Sequence, residues 1–338
     1  MSAARNMLAS PTLRPLLLLV IVVAGFAAFH GGAGFLEQKT AFSVFQHFAT
    51  VGLVALALGL TMLMREFDLS VAGMMGLGGC VAVLSGNGDP ALGLVAAILV
   101  GIAGGLAQGG LIVGLHLGSV AVSLGGLLTF SGIAYVVTGN QTVPFENMDV
   151  AMAINAPVFD IMSVRAAVVL ALFVAAALVI GCTRIGRDII AAGSNRHASI
   201  IAGANPDRLV VGVFAVSGAL SALAGAMLSF GLLSASPGGG VSDILVPAVA
   251  AAILGGVSLS GGTGRPLGIA AGVLILCVLR TGLTSLGAAP YVHDIVTGAI
   301  LLAVAIADGP HLPVRWFQMG RLIDPRRNPR RNALHQGD

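Results

Sequence analysis

The sequence predicts an all-α polytopic membrane protein with about ten membrane helices and both termini in the cytoplasm. Three observations carry that reading. Hydrophobic residues make up 57% of the 338 residues and charged residues only 9%, with a mean hydropathy of +0.98. A soluble domain carries about 25% charged residues, so this chain could not cover a water-facing surface. The apolar residues form continuous runs, not the alternating pattern of an outer-membrane barrel. The basic residues gather on alternate connections between those runs. Disorder needs the opposite composition, and the 48 glycines keep no three-residue period, so a collagen is excluded as well.

A membrane helix needs about 20 mostly apolar residues. Ten stretches qualify, near 14–30, 41–64, 71–86, 90–115, 119–138, 164–182, 209–233, 243–259, 266–286 and 291–308. The first lacks a small-residue cleavage site and is too long for a signal peptide, so it is expected to be retained. The third and eighth are short or broken by glycine, and Gly125 and Gly126 interrupt the fifth. With the N-terminus inside, 14 of the 17 Lys and Arg fall inside: Arg5, Arg14, Arg65, Arg184, Arg187, Arg196, Arg208, Arg265 and six in the tail. Lys39 and Arg165 fall outside, and Arg280 falls within the ninth stretch. Losing one span would push the 183–208 loop or the arginine tail outside. The chain thus reads as one transmembrane domain over 1–310 and a basic cytoplasmic tail over 311–338. The tail suits a stop-transfer and a lipid-headgroup anchor, not nucleic acid, because its arginine run lacks interleaved aromatics.

Four stretches depart from plain membrane helix. Arg65 to Val71 separates the second and third spans, and Asp68 and Ser70 can cap the helix that follows or stand at a gate. Thr138 to Ser163 is the longest outward loop, mildly acidic through Glu146, Asp149 and Asp160, and suits either solvation or an external docking partner. Thr183 to Arg208 is the longest polar stretch before the tail. It is amphipathic, and Ser194 or Asn195 can cap a short helix through Ala202, which would lie across the membrane base as a docking element. Leu254 to Pro266 holds five glycines in ten residues, which permits unusual turns and close backbone approach. It is not a phosphate loop, because that motif ends in Gly-Lys and the only lysine follows Gln38. The chain therefore has no ATP site of its own.

Ionisable groups inside the membrane point to function or to a structural pair. Arg280 lies in the outer third of its span, with Asp243, His293 and Asp294 near the outer ends of neighbouring ones. An ion pair of Arg280 with Asp294 or Asp243 would neutralise a costly charge. No chain of carboxylates crosses the bilayer, which argues against an ion-driven carrier. No Ser/His/Asp set, paired carboxylates or metal spacing is present, so no catalytic and no metal residues are assigned. The three cysteines, Cys80, Cys182 and Cys277, read as small packing residues.

The ordered set of Asp68-Leu69-Ser70, Thr183-Arg184-Ile185-Gly186-Arg187, Gly193-Ser194-Asn195, Ala202-Gly203-Ala204-Asn205, Ser217-Gly218, Ser234-Ala235-Ser236-Pro237 and Leu254-Gly255-Gly256-Val257-Ser258-Leu259-Ser260-Gly261-Gly262 closely resembles the membrane subunits of bacterial ABC sugar importers of the ribose/xylose/galactose type. The resemblance runs from about 40 to 308. It implies a ten-helix type II importer fold in the bacterial inner membrane. It implies a second permease subunit, identical or not, a cytoplasmic ABC ATPase that binds Mg-ATP, and a periplasmic or extracellular solute-binding protein. No cofactor is implied on this chain. Gly186, Arg187, Gly193, Asn195, Gly203 and Asn205 would then couple to the ATPase. Asp68, Ser70, Gly255, Gly256, Ser258, Ser260 and Arg280 are candidates for the gate or pathway. The expected function is the translocation pathway for a sugar or sugar-like solute.

Overall fold

A computed structural model describes residues 13–29, 35, 37–238 and 244–308. Arg5, Asp243 and the basic tail lie outside the described residues. The helices run in order α1 (Leu13–Phe29), α2 (Gln38–Leu63), α3 (Val71–Gly86), α4 (Pro90–Gly114), α5 (Ser119–Val137), α6 (Met148–Asn155), α7 (Val164–Cys182), α8 (Arg184–Ser194), α9 (Arg196–Ile201), α10 (Pro206–Gly231), α11 (Leu245–Leu254), α12 (Pro266–Ser285) and α13 (Pro290–Asp308). Four two-residue strands pair antiparallel: β1 (Val143–Pro144) with β4 (Ser234–Ala235), and β2 (Pro157–Val158) with β3 (Met162–Ser163).

The starts follow local chemistry. Proline occupies the first position of α4, α10 and α12, where its fixed φ suits a helix and its missing N–H costs nothing. The Asp89 Oδ1 accepts from the Ala91 N–H ahead of α4, and Asn205 Oδ1 accepts from Arg208 N–H ahead of α10.

All ten apolar stretches contain a helix, and six of these helices are long and apolar enough to cross a membrane: α2, α4, α5, α7, α10 and α12. Four shorter apolar ones fall within α1, α3, α11 and α13. The eighth stretch, expected over 243–259, is a correction. It is helical only over the 10 residues Leu245–Leu254. That rises about 15 Å, half the hydrocarbon thickness. Glycine is the reason: Gly255 ends the helix and Gly256 turns at φ 83°.

The 138–163 loop is also more ordered than a plain loop, since it carries α6 and three of the short strands. Arg165, expected at the outer edge, is 8% exposed, and its Nη2 donates to Gln46 Oε1 at 2.6 Å.

α10 is the central post, packed along α4 and α3, and α2 joins it to the α11–α12 pair. Lipid supplies no hydrophobic drive between helices, so close van der Waals contact between small residues must hold them. Gly101 and Gly218 meet on the α4–α10 seam, each so close to the other's carbonyl oxygen that an added Cβ could not fit. Ser217 and Ser221 lie on the same buried side of α10. Gly218→Leu is expected to cost about 1–3 kcal/mol or more by overpacking. Gly212→Leu, where an added Cβ meets open space, is the control. Thermal unfolding in detergent reads the difference, and equal midpoints would refute the seam.

Candidate functional site

Three of the four irregular stretches meet at one end of the bundle. The first is the turn after α2. Arg65 takes a left-handed φ of 66°, which folds the chain back under Leu63. Asp68 is 1% exposed. Its Oδ1 accepts from the Ser70 N–H at 3.1 Å and the Ser70 hydroxyl at 2.6 Å. Its Oδ2 accepts from the Ser217 hydroxyl on α10 at 2.6 Å. Gln108 of α4 donates through Nε2 to Ser70 Oγ at 2.7 Å. On the other side Phe67 N–H donates to Ser119 Oγ, and Ser123 Oγ donates to Phe67 O, both at 3.1 Å. The turn is thereby pinned to α4, α5 and α10. Burial pushes the Asp68 carboxyl up from its ordinary range, and the bonds from Ser217 and Ser70 pull it back.

The second stretch forms a bent helix pair rather than the single short helix expected. Thr183 Oγ1 caps α8 by accepting from Gly186 N–H at 3.2 Å. Asn195 ends α8 and caps α9, with Oδ1 accepting from Ala198 N–H at 3.0 Å. Gly203 turns at φ 85° before Asn205 caps α10. Arg196 bridges Glu66 at 3.7 Å and also pairs with Asp207.

The third stretch is the glycine-rich loop. Ser258 N–H bonds Thr263 O at 3.2 Å, and Ser260 N–H bonds Ser258 Oγ at 3.1 Å, closing a tight loop. Gly262 N–H donates to Leu63 O at 2.9 Å, and Ser194 Oγ donates to Gly262 O at 3.4 Å. Gly193 lies against Leu63 O and Gly262 N so closely that a Cβ would collide with both. The end of α2, the end of α8 and the glycine loop thus share one point of backbone contact.

This arrangement has the parts of a mechanical joint. Its exposed side mixes Ile185, Ile200 and Ile201, Ile201 at 88% exposure, with the cations Arg184, Arg187 and Arg196. Among the described residues no group of His, Cys, Asp or Glu could hold a metal ion.

A protein-family model described as branched-chain amino acid transport system / permease component matches residues 40–305. The chain belongs to this permease family. A ribose import permease protein from Bacillus subtilis is 32% identical over 303 residues, covering 87% of this chain and 90% of the relative. An autoinducer 2 import system permease protein from Yersinia enterocolitica is 30% identical over 263 residues, covering 76% and 72%. Its counterpart from Photorhabdus laumondii is 29% identical over 280 residues, covering 81% and 83%. No solved structure matches. The permease is therefore the translocation-pathway subunit of an ABC importer and a multi-pass protein of the bacterial inner membrane.

Within the permease, Gly193 is packed inside the joint, Gly186 sits at the α7–α8 corner, and Asn195 and Asn205 are helix caps. Arg187 is exposed on α8. Asp68, Ser70 and Gly255 are buried, so none of them lines an open path in this structure. Gly255 packs on the backbone of Gly268, and Ser260 is exposed on the loop. Ser70 stands at the first position before α3, but its side chain makes no capping bond, because it is committed to Asp68.

Arg280 is not part of this joint. It lies 14 residues along α12 from Pro266, about 21 Å away. The expected Arg280–Asp294 ion pair is also a correction: among the described residues neither forms one. Both side chains are exposed, so no burial cost drives them together.

Gln108, Ser119 and Ser123 were missed from the sequence, and Ser217 was noted there only within a family motif. The available signal was polar side chains inside otherwise apolar runs.

Asp68→Ala and Ser217→Ala should each destabilise the permease by about 1–3 kcal/mol, because each strands a buried partner. The double variant should cost clearly less than their sum. Detergent unfolding of the four proteins measures the coupling, and additive losses would show that the two side chains act independently.

Proposed function

We propose that the permease imports a sugar-like solute by rocking about the joint. Ten spans would place both termini and the α8–α9 pair in the cytoplasm, consistent with the placement of 14 of 17 basic residues. A second permease subunit completes the pathway. A cytoplasmic ABC ATPase docks on α8 and α9, and a solute-binding protein delivers the solute at the other face. Mg-ATP is hydrolysed on the ATPase, and this chain contributes no cofactor.

The observation that carries the proposal is the joint itself. α8 and α9 expose isoleucines that water disfavours, while Gly193 ties their inner side to α2 and the glycine loop. A push on that face reaches α2 through Leu63 O and the Arg196–Glu66 bridge. The turn that follows is held by Asp68 to α10. Gly186, Arg187, Gly193, Asn195, Gly203 and Asn205 shape and orient the pushed element. Asp68, Ser70, Gly255, Gly256, Ser258 and Ser260 form the hinge that answers it. One domain over 1–310 would perform this motion, with the 311–338 tail on lipid headgroups.

The solute class comes from the relatives, whose names specify ribose and autoinducer 2. The family description supports a second reading, a branched-chain amino acid. Uptake of D-ribose against L-leucine in vesicles holding the complete importer separates the two.

Ile201→Asp should weaken recovery of the ATPase at least tenfold, equivalent to about 1.4 kcal/mol. Gly193→Val should leave the protein inserted yet uncouple transport from ATP hydrolysis. Co-purification and vesicle uptake check both, and normal uptake in the two variants would overturn the docking assignment.

A further inference from the structure

The bundle holds a cavity of about 220 Å³ far from the joint. α2, α11, α12 and α13 line it, and its polar walls are His47, Arg280, His293, Asp294 and Thr297. His47 lies 16 residues before Leu63 on α2, about 24 Å from the joint along that helix. In the proposed orientation the cavity therefore sits toward the outer side.

The chemistry of this lining is unusual for a membrane helix bundle. Arg280 and Asp294 bear opposite charges in one cavity, yet among the described residues they form no ion pair. Both side chains are exposed to the cavity, so each charge stays available to a bound molecule and neither is committed to the other. The Nδ1 of His293 is buried and has no hydrogen-bond partner. Its Nε2 lies 3.4 Å from the Thr284 hydroxyl, which itself donates to Arg280 O at 2.9 Å. The remaining walls include apolar Val51, Leu276 and Leu279.

The cavity thus offers a donor, an acceptor and an unpartnered imidazole nitrogen beside apolar walls. A hydroxyl both donates and accepts, so it can satisfy all three. An anion would gain from Arg280 but face Asp294, and a cation would meet the reverse. A neutral polyol pays neither penalty, and its C–H face suits the apolar walls. We propose that this cavity is a binding station for a neutral, hydroxyl-rich solute of monosaccharide size. The proposal rests on the importer reading and adds to it the location of the site and the charge class of the solute.

Cysteine protection in the full-length permease, reconstituted in nanodiscs with its ATPase, tests this. Thr297→Cys and Leu283→Cys are made separately in a Cys182→Ser, Cys277→Ala background, since Cys182 is exposed, Cys277 lines the same cavity and Cys80 is buried. Labelling by a neutral maleimide is timed with D-ribose, D-galactose, D-gluconate, glucose 6-phosphate or L-leucine. A neutral sugar should slow labelling about threefold when present at about twice its dissociation constant, because only the empty site reacts. The two anionic compounds should not. Arg280→Gln should abolish protection, and His293→Gln serves as a second variant if the first fails to fold.

Equal protection by gluconate, or protection by L-leucine, whose carboxylate and ammonium would meet Arg280 and Asp294 together, would overturn the proposal. So would no protection by either neutral sugar, protection that survives both variants, or failure of both cysteines to label. ATPase association is scored on the same preparation. Association without protection defeats the cavity and leaves the importer reading standing, and protection without association does the reverse.

Discussion

A carboxylate placed where water cannot reach it must be satisfied by the protein, and Asp68 is satisfied by Ser70 in its own turn and by Ser217 on α10. Its two oxygens take three donors from Ser70 and Ser217. Those bonds decide where the α2–α3 turn stands relative to α10, the helix around which α3 and α4 are packed. Hydrogen bonds to a charged group are among the stronger ones, and a buried partner left unpaired is costly. The turn is consequently a rigid strut. The glycine contacts on the α4–α10 seam and the backbone bond from Gly262 to Leu63 both rely on that placement.

Rigidity at the turn explains how a surface event can travel. In the proposed mechanism α8 and α9 offer the ATPase a face of exposed isoleucines and arginines, but such a face alone only binds. Gly193 makes it a lever, because the absence of a Cβ lets α8 touch the backbone of Leu63. A side chain at that position would separate the two elements and break the continuity from the docking face to the core. The joint and the far cavity occupy the two ends of α2 and α12. On the proposed mechanism, a tilt of those helices would move both together and so link energy input at one end to solute handling at the other.

The membrane class, the helical stretches and a capped helical element within 183–208 were legible in the residues because lipid imposes strong rules. Continuous apolar runs and the placement of arginines leave few alternatives. Asn195 as a cap was legible for the same local reason: a short polar side chain precedes a helical run. The partners of Asp68 were not. Ser217 is 149 residues from Asp68, and Gln108, which holds Ser70, is 38 residues from it. No local pattern encodes such a meeting. The Arg280–Asp294 pair failed for the related reason that proximity along neighbouring spans does not set side-chain distance.

Composition and local order therefore determined the solvent this protein lives in, its helical elements and most of their ends. Each of these is decided by interactions within a few residues or by transfer from water to lipid. The tertiary structure alone decided that Asp68 is a buried strut bonded to α10, that Gly193 meets the backbone of Leu63, and that opposite charges share a cavity without pairing. Those outcomes depend on which helices meet and how closely. In lipid that is governed by small-residue packing and satisfied polar groups across distant segments, which no stretch of sequence contains by itself.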